Sequence, residues 1–134
     1  MYRIVGEKQS QLEAKKSRFL GFCFYVESVE QVKEILASFE GKYKGAVHTV
    51  YAYRLREEGV LREKFDNDAE PVGSAGPPLL SLLKNKNLMN CLLVVVRYFG
   101  GTLLGVGGLV RAYTGAGQIT LEENLCLLEQ KKEN

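Results

Sequence analysis

Residues 91–96 (CLLVVV) form an unbroken apolar run, and after Arg97, Tyr98 and Phe99 the nine positions 100–108 (GGTLLGVGG) hold five glycines. Aliphatic and β-branched side chains without a polar interruption suit a strand covered on both faces. Such a strand needs neighbours on each side and a packed layer above and below it. Beyond the glycines, Leu109, Ala112, Ala116 and Ile119 recur three and four apart, which predicts a helix to about Glu123. Strand, glycine turn and helix in that order therefore place the chain among α+β folds rather than bundles or pure β sandwiches.

The rest of the chain supplies the neighbours. Tyr2 to Glu7 and Gln11 to Ala14 read as short strands around a polar turn, and residues 17–26 (SRFLGFCFYV) as a well-covered strand. Ser28 opens a capping box with Gln31, and Val29, Val32, Ile35, Leu36 and Phe39 form a helical stripe that Gly41 ends. Residues 46–56 (AVHTVYAYRLR) alternate as a strand, Glu57-Glu58-Gly59 is a hairpin-type turn, and Val60 to Phe65 returns antiparallel. Residues 66–76 (DNDAEPVGSAG) are a loop, and Pro77 and Pro78 suit the first turn of a helix to about Lys86. The expected architecture is a two-layer α+β sandwich, a mixed or antiparallel sheet on two main helices.

At 134 residues the chain has the size of one domain, with residues 1–124 as the folded unit and 125–134 as a tail, read as a last strand or the stub of an absent second domain. The net charge of +2 is less informative than its distribution: no Asp or Glu occurs from residue 71 to residue 121, where Lys84, Lys86, Arg97 and Arg111 remain. Cys23, Cys91 and Cys126 show no paired spacing and suit buried thiols in a reducing compartment. The N-terminal residues lack the apolar core of a signal peptide, and the longest apolar run is far too short to span a bilayer. A cytoplasmic protein without a membrane partner is expected.

The glycines admit two readings. A strand–turn–helix junction presents backbone N–H groups to an anion, the helix dipole favours negative charge there, and glycines let the ligand approach. Arg97 and Arg111, flanking Gly100, Gly101, Gly105, Gly107 and Gly108, would add bidentate contacts to a phosphate. No nucleotide fingerprint accompanies them: Val106 and Gly107 stand where a P-loop needs Lys and Ser or Thr, and Val110 where a dinucleotide turn needs its third Gly. The other reading is packing, in which small residues let helix and sheet come close.

Other chemistry is thinner. His48, the sole histidine, lies between small residues on its strand face, which leaves room for an exposed ring, with Arg54 further along the same face. No nucleophile signature accompanies it. Asp66, Asp68 and Glu70 alternate, but Pro71 and Pro77 occupy the Gly and Glu positions of an EF-hand loop. Asx-turn capping fits Asp66 and Asp68 better than Mg²⁺, which enters only if the protein is an enzyme using His48 or Glu70 as acid or base. Lys15, Lys16 and Arg18 cluster beside Phe19, either to meet a phosphate backbone or as a solvated strand end.

The segments AEPVGSAGPPLL (69–80) and VVVRYFGGTLLGVGGLVRAY (94–113) closely resemble the signature of the YigZ/IMPACT N-terminal domain family, and KKSRFLGF (15–22) and AVHTVYAYRL (46–55) match its earlier motifs in order. The resemblance implies a left-handed βαβ fold of the ribosomal-protein and GHMP-kinase type. It also implies, for bacterial members, a ferredoxin-like C-terminal domain that this chain is expected to lack. It carries over His48, Arg54, Asp68, Glu70, Pro71, Gly73, Ser74, Gly76, Arg97, Tyr98, the five glycines, Arg111 and Tyr113. Ala69 stands where the family has Gly, Val72 where it has Ser, and Leu103 where it has Lys, which removes a positive charge from the turn. Eukaryotic relatives of this kind regulate translation under nutrient stress.

Three readings follow. The leading one is a non-catalytic, translation-associated regulatory module that binds RNA or a ribosome-linked partner through a positive glycine-rich surface comprising Arg97, the five glycines, Arg111, Arg54 and His48. It takes no cofactor. The second is an enzyme acting on a phosphorylated small molecule or nucleotide, and the third a protein–protein docking domain anchored by Tyr98, Phe99 and Leu103.

Overall fold

The apolar run becomes β6 (Cys91–Tyr98), the middle strand of a five-stranded sheet. The computed structural model describes residues 2–4 and 9–127. Its elements are β1 (Tyr2–Ile4), β2 (Ser10–Ala14), β3 (Ser17–Tyr25), α1 (Val29–Ala37), β4 (His48–Glu57), β5 (Val60–Asp66), α2 (Gly76–Asn85), β6, α3 (Gly105–Asn124) and β7 (Leu125–Leu127). The main sheet has the order β2-β3-β6-β4-β5, every neighbouring pair antiparallel. Cys91 to Arg97 are all buried, as a central strand with both faces covered requires.

Each face carries its own core. Phe19, Cys23, Val50, Ala52, Leu93 and Val95 point at α2 and α3, against Leu79, Leu83, Leu109, Ala112 and Tyr113. Leu20, Phe22, Leu92, Val94, Val96, Tyr53 and Leu55 point the other way, against Val32 of α1 and its neighbours Val29, Ile35, Leu36 and Phe39. The two-helix layer is thus α2 with α3, and α1 covers the far side of the sheet.

This arrangement fixes a chirality. β3 and β4 run parallel with β6 between them and are joined through α1; β5 and β6 run parallel with β4 between them and are joined through α2. A half-turn about the sheet normal superposes the direction and order of one strand pair on the other without exchanging the faces. Because α1 and α2 lie on opposite faces, the two crossovers have opposite hands. One of them is left-handed, against the strong preference for right-handed connections.

Local chemistry explains the element ends. Ser28 caps α1 by accepting from the Gln31 N–H at 3.0 Å, but the Gln31 side chain reaches the Glu27 N–H at 2.8 Å instead of the expected Ser28 N–H. Pro77 and Pro78 fall in the first turn of α2. Lys15 and Lys16 (φ 46° and 71°) and Glu58 and Gly59 (φ 52° and 79°) make two-residue turns with both φ positive, the primed form that matches strand twist. The N-terminal strands do not form a hairpin with each other. β1 pairs with β7 in register Tyr2 to Leu127, and residues 128–134 lie outside the described residues.

Cys23 and Cys91 are buried in the α2/α3-side core, and burial, then the neighbouring Cys23, pushes the Cys91 thiol well above its ordinary range. Among the described residues no helix is long and apolar enough to cross a membrane.

Candidate functional site

The sheet register brings His48 of β4, Arg97 of β6 and Phe19 of β3 into one row at the sheet end, on the face that α3 covers. Above the row sits Glu70, from the loop between β5 and α2, and Tyr113 of α3. The Glu70 carboxylate accepts from Arg97 Nη1 at 3.0 and 2.9 Å and from the Tyr113 hydroxyl. Arg97 Nη2 donates to Ser17 Oγ at 3.4 Å, and that oxygen also accepts from the Gly100 N–H at 3.1 Å. His48 lies between two carboxylates, its Nδ1 3.4 Å from Asp68 Oδ2 and its Nε2 3.6 Å from Glu70 Oε1. Both Glu70 and Arg97 are only 5% exposed.

These partners decide what the cluster does. A buried guanidinium is costly unless a carboxylate offsets its charge, and a buried carboxylate needs its lone pairs filled. Glu70 has both, so it serves as a tie between loop, sheet and α3. Burial, then the hydrogen bond to Glu70, raises the Tyr113 hydroxyl far above the ordinary phenol range, so it stays a proton donor.

A pH dependence follows. In the unfolded chain Cys91 and Tyr113 ionise near their ordinary values of 9.0 and 10.0, whereas the folded protein holds both protons to higher pH. Above these values the unfolded state binds fewer protons, so stability falls as pH rises beyond about 9. Urea midpoints measured between about pH 8 and pH 11 should decline, and Tyr113→Phe should flatten the upper part of the decline.

The loop carrying Glu70 is held by Asn67, which sequence reasoning missed. Its Nδ2 donates to the Glu70 and Pro71 carbonyls at 2.6 and 3.0 Å, and its Oδ1 accepts from the Ala75 and Gly76 N–H groups at 3.1 and 2.8 Å. An Asn inside an acidic, proline-bounded loop was the available signal. Asp66 Oδ1 accepts from the Asp68 N–H, and Asp68 Oδ2 from the Thr49 N–H, both at 2.8 Å. Among the described residues no three His, Cys, Asp or Glu side chains could hold a metal ion together. Asp68 and Ala69 both have left-handed backbone (φ 47° and 65°), which explains the Gly that the resemblance places at position 69.

The expected anion surface is therefore smaller than the sequence reading made it. Arg97 is turned inward onto Glu70. Arg54 bonds Glu63 through Nε at 2.6 Å and the Leu88 carbonyl at 3.1 Å, six residues along β4 from His48, or about 20 Å away. His48 is held between carboxylates, with its side chain 21% exposed. Gly100 is a packing glycine: a β-carbon there would stand 2.1 Å from the Lys16 carbonyl carbon. Gly101 and Gly105 turn the chain with φ of 89° and 75° and have open space beside them, and Gly107 and Gly108 flank the Arg111 guanidinium.

What remains is a cationic corner. The exposed Lys15 and Lys16 of the β2–β3 turn and the exposed Arg111 of α3 lie around the start of α3, with Lys15 and Arg111 lining one cavity there. Arg18 belongs to the opposite face of the sheet, where it stacks over Tyr98, 4.6 Å from the ring centroid. Among the described residues no carboxylate pairs with Lys15, Lys16 or Arg111. Between β2 and α3 opens a cavity of about 310 Å³, lined by Leu12, Ala14, Lys15, Leu104, Gly108, Arg111 and Ala112. Phe99, Val106 and Leu103, the last 81% exposed, are apolar side chains of the same glycine-rich segment and the first turn of α3.

The family model described as the Impact N-terminal domain matches residues 15–121. The chain belongs to this family. An IMPACT family member from Haemophilus influenzae is 40% identical over 111 residues, covering 82% of this chain and 54% of the relative. A solved structure of a protein described only as hypothetical superposes with a TM-score of 0.83 at 32% identity, covering 92% of this chain and 60% of that one. A second, of the two-domain translational regulator Yih1, has a TM-score of 0.60 at 24% identity, covering 88% of this chain and 46% of that one, a likeness of fold. The chain spans about half the length of the curated bacterial relatives it matches. Within the family signature, the Arg97, Glu70 and Tyr113 positions form the buried tie, and Arg111 faces outward.

Proposed function

We propose that this domain is a non-catalytic module of translation-associated regulation, acting in the cytoplasm, that binds an anionic partner, RNA or a ribosome-linked protein, on the cationic corner. The observation that carries this reading is Arg111 and the Lys15–Lys16 turn, exposed at the start of α3 and without carboxylate partners among the described residues, beside 51 residues (71 to 121) that contain no acid. Membership of the IMPACT family supports the link to translation, as does the fold shared with a translational regulator. Arg111, Gly105, Gly107 and Gly108 are the contact residues kept from the sequence reading, joined now by Lys15 and Lys16.

Binding of a labelled single-stranded RNA, followed by fluorescence anisotropy, tests it. With Lys15, Lys16 and Arg111 each meeting a phosphate, affinity should fall about 20-fold between about 50 and 200 mM salt. Arg111→Glu should weaken binding about ten-fold at low salt and make the salt dependence shallower. Sedimentation with ribosomes gives the protein-partner arm. If neither RNA nor ribosomes are bound at low salt, this function is wrong.

A further inference from the structure

We propose that the outer edge of β2 and the cavity beside it form a docking groove for an extended acidic peptide, which adds to the sheet as another strand and seats an apolar side chain between β2 and α3. This inference rests on the reading of the same corner as the binding surface and names its partner.

The two edges of the sheet are built differently. β5 is exposed along its whole length and carries Arg62, Glu63 and Lys64 in succession, a charge pattern that discourages further pairing. β2, at the other edge, has one ionisable side chain, Glu13, and among the described residues no strand pairs with its outer side. The Lys15–Lys16 turn closes on the Ala14–Ser17 pair, which in a two-residue hairpin is the hydrogen-bonded kind. The alternation then points the N–H and C=O groups of Gln11 and Glu13 outward, ready for a partner backbone. Glu13 sits opposite Arg18, and its side chain lies on the face of β2 away from the cavity.

The cavity states what the added strand carries. Its floor is aliphatic, from Leu12 and Ala14 of β2 and Leu104 and Ala112 beside them, and its two charged lining residues are Lys15 and Arg111. An apolar anchor flanked by carboxylates satisfies both parts. An apolar peptide side chain suits the aliphatic floor better than a nucleobase, because the lining has no aromatic ring to stack a base and no side-chain acceptor for its amino groups. Main-chain pairing with side-chain pockets at alternate positions is the general form of strand addition.

The test uses a fluorescein-labelled peptide with Glu, Leu and Glu at every second position and Thr between them, so that the Leu and both carboxylates share the cavity face. Its controls are the N-methylated form, which cannot donate along the pairing edge, and a version with Lys for Glu. The acidic peptide should bind, the N-methylated form about ten-fold more weakly, and the Lys form not at all. Hydrogen exchange at the Gln11 and Glu13 amides should slow on binding. A doubly substituted Lys15→Glu, Arg111→Glu protein, checked for folding by circular dichroism, should lose the acidic peptide and gain the Lys form. Equal binding of the N-methylated peptide, unchanged exchange at Gln11 and Glu13, or no switch on charge reversal would each overturn the groove. RNA binding that persists when the acidic peptide fails to bind rejects the groove and leaves the proposed function standing. Failure of peptide, RNA and ribosomes together removes both.

Discussion

Glu70→Ala is expected to destabilise the protein by about 3–5 kcal/mol, a large share of the ~5–15 kcal/mol that holds a domain together. The substitution strands the Arg97 guanidinium, 5% exposed, and leaves the Tyr113 hydroxyl without its acceptor. For a chain of this length such a loss lowers Tm by on the order of 10 °C or more. Thermal and urea unfolding with an unchanged m value would check it. Adding Arg97→Leu to Glu70→Ala should recover part of the loss, because an apolar side chain there no longer needs a counter-charge. A single-substitution loss below about 1 kcal/mol would mean that the ion pair does not hold the loop to the sheet.

The second large effect is expected at Gly100→Ala. The added carbon would stand 2.1, 2.3 and 2.5 Å from the Lys16 carbonyl carbon, its oxygen and the Ser17 nitrogen. All three are backbone atoms, so the β2–β3 turn has to move, and the Gly100 N–H loses Ser17 Oγ as it does. Forced repacking of this kind costs about 1–3 kcal/mol or more. Gly101→Ala meets no atom within 4 Å and costs only its backbone conformation, about 1–2 kcal/mol. Gly107→Ala, in ordinary contact with Arg111 at 3.4 Å, should be neutral or stabilising by up to about 1 kcal/mol through helix propensity. Unfolding curves for the three variants would rank them, and equal losses at all three positions would refute the distinction between a packing glycine and turn or surface ones.

Much of the fold was readable because its signals are local. CLLVVV announced a strand buried on both sides, Ser28 an N-cap, and Pro77–Pro78 a helix start, and each occupies that place. The pairing of β1 with β7 was not readable, since short segments at opposite ends of a chain carry no periodicity that identifies a partner. The site was legible as a set of residues and misread as an arrangement. His48, Glu70, Arg97 and Tyr113 meet only through strand register and loop shape. One clue was in the sequence: Arg97 is in phase with Leu93 and Val95, so a covered strand already pointed it at the core, where it needs an acid. Arg111 had no such constraint and stayed outside.

The central position of β6 has a consequence for biosynthesis. β3 and β4 do not touch each other; each pairs with a strand that emerges from the ribosome about 35 to 70 residues after it. Until that segment is made, two aromatic-rich strands wait with open inner margins, and closure then depends on contacts of long sequence separation, which form slowly. The nascent protein is therefore most exposed to misassociation just before its most apolar segment arrives.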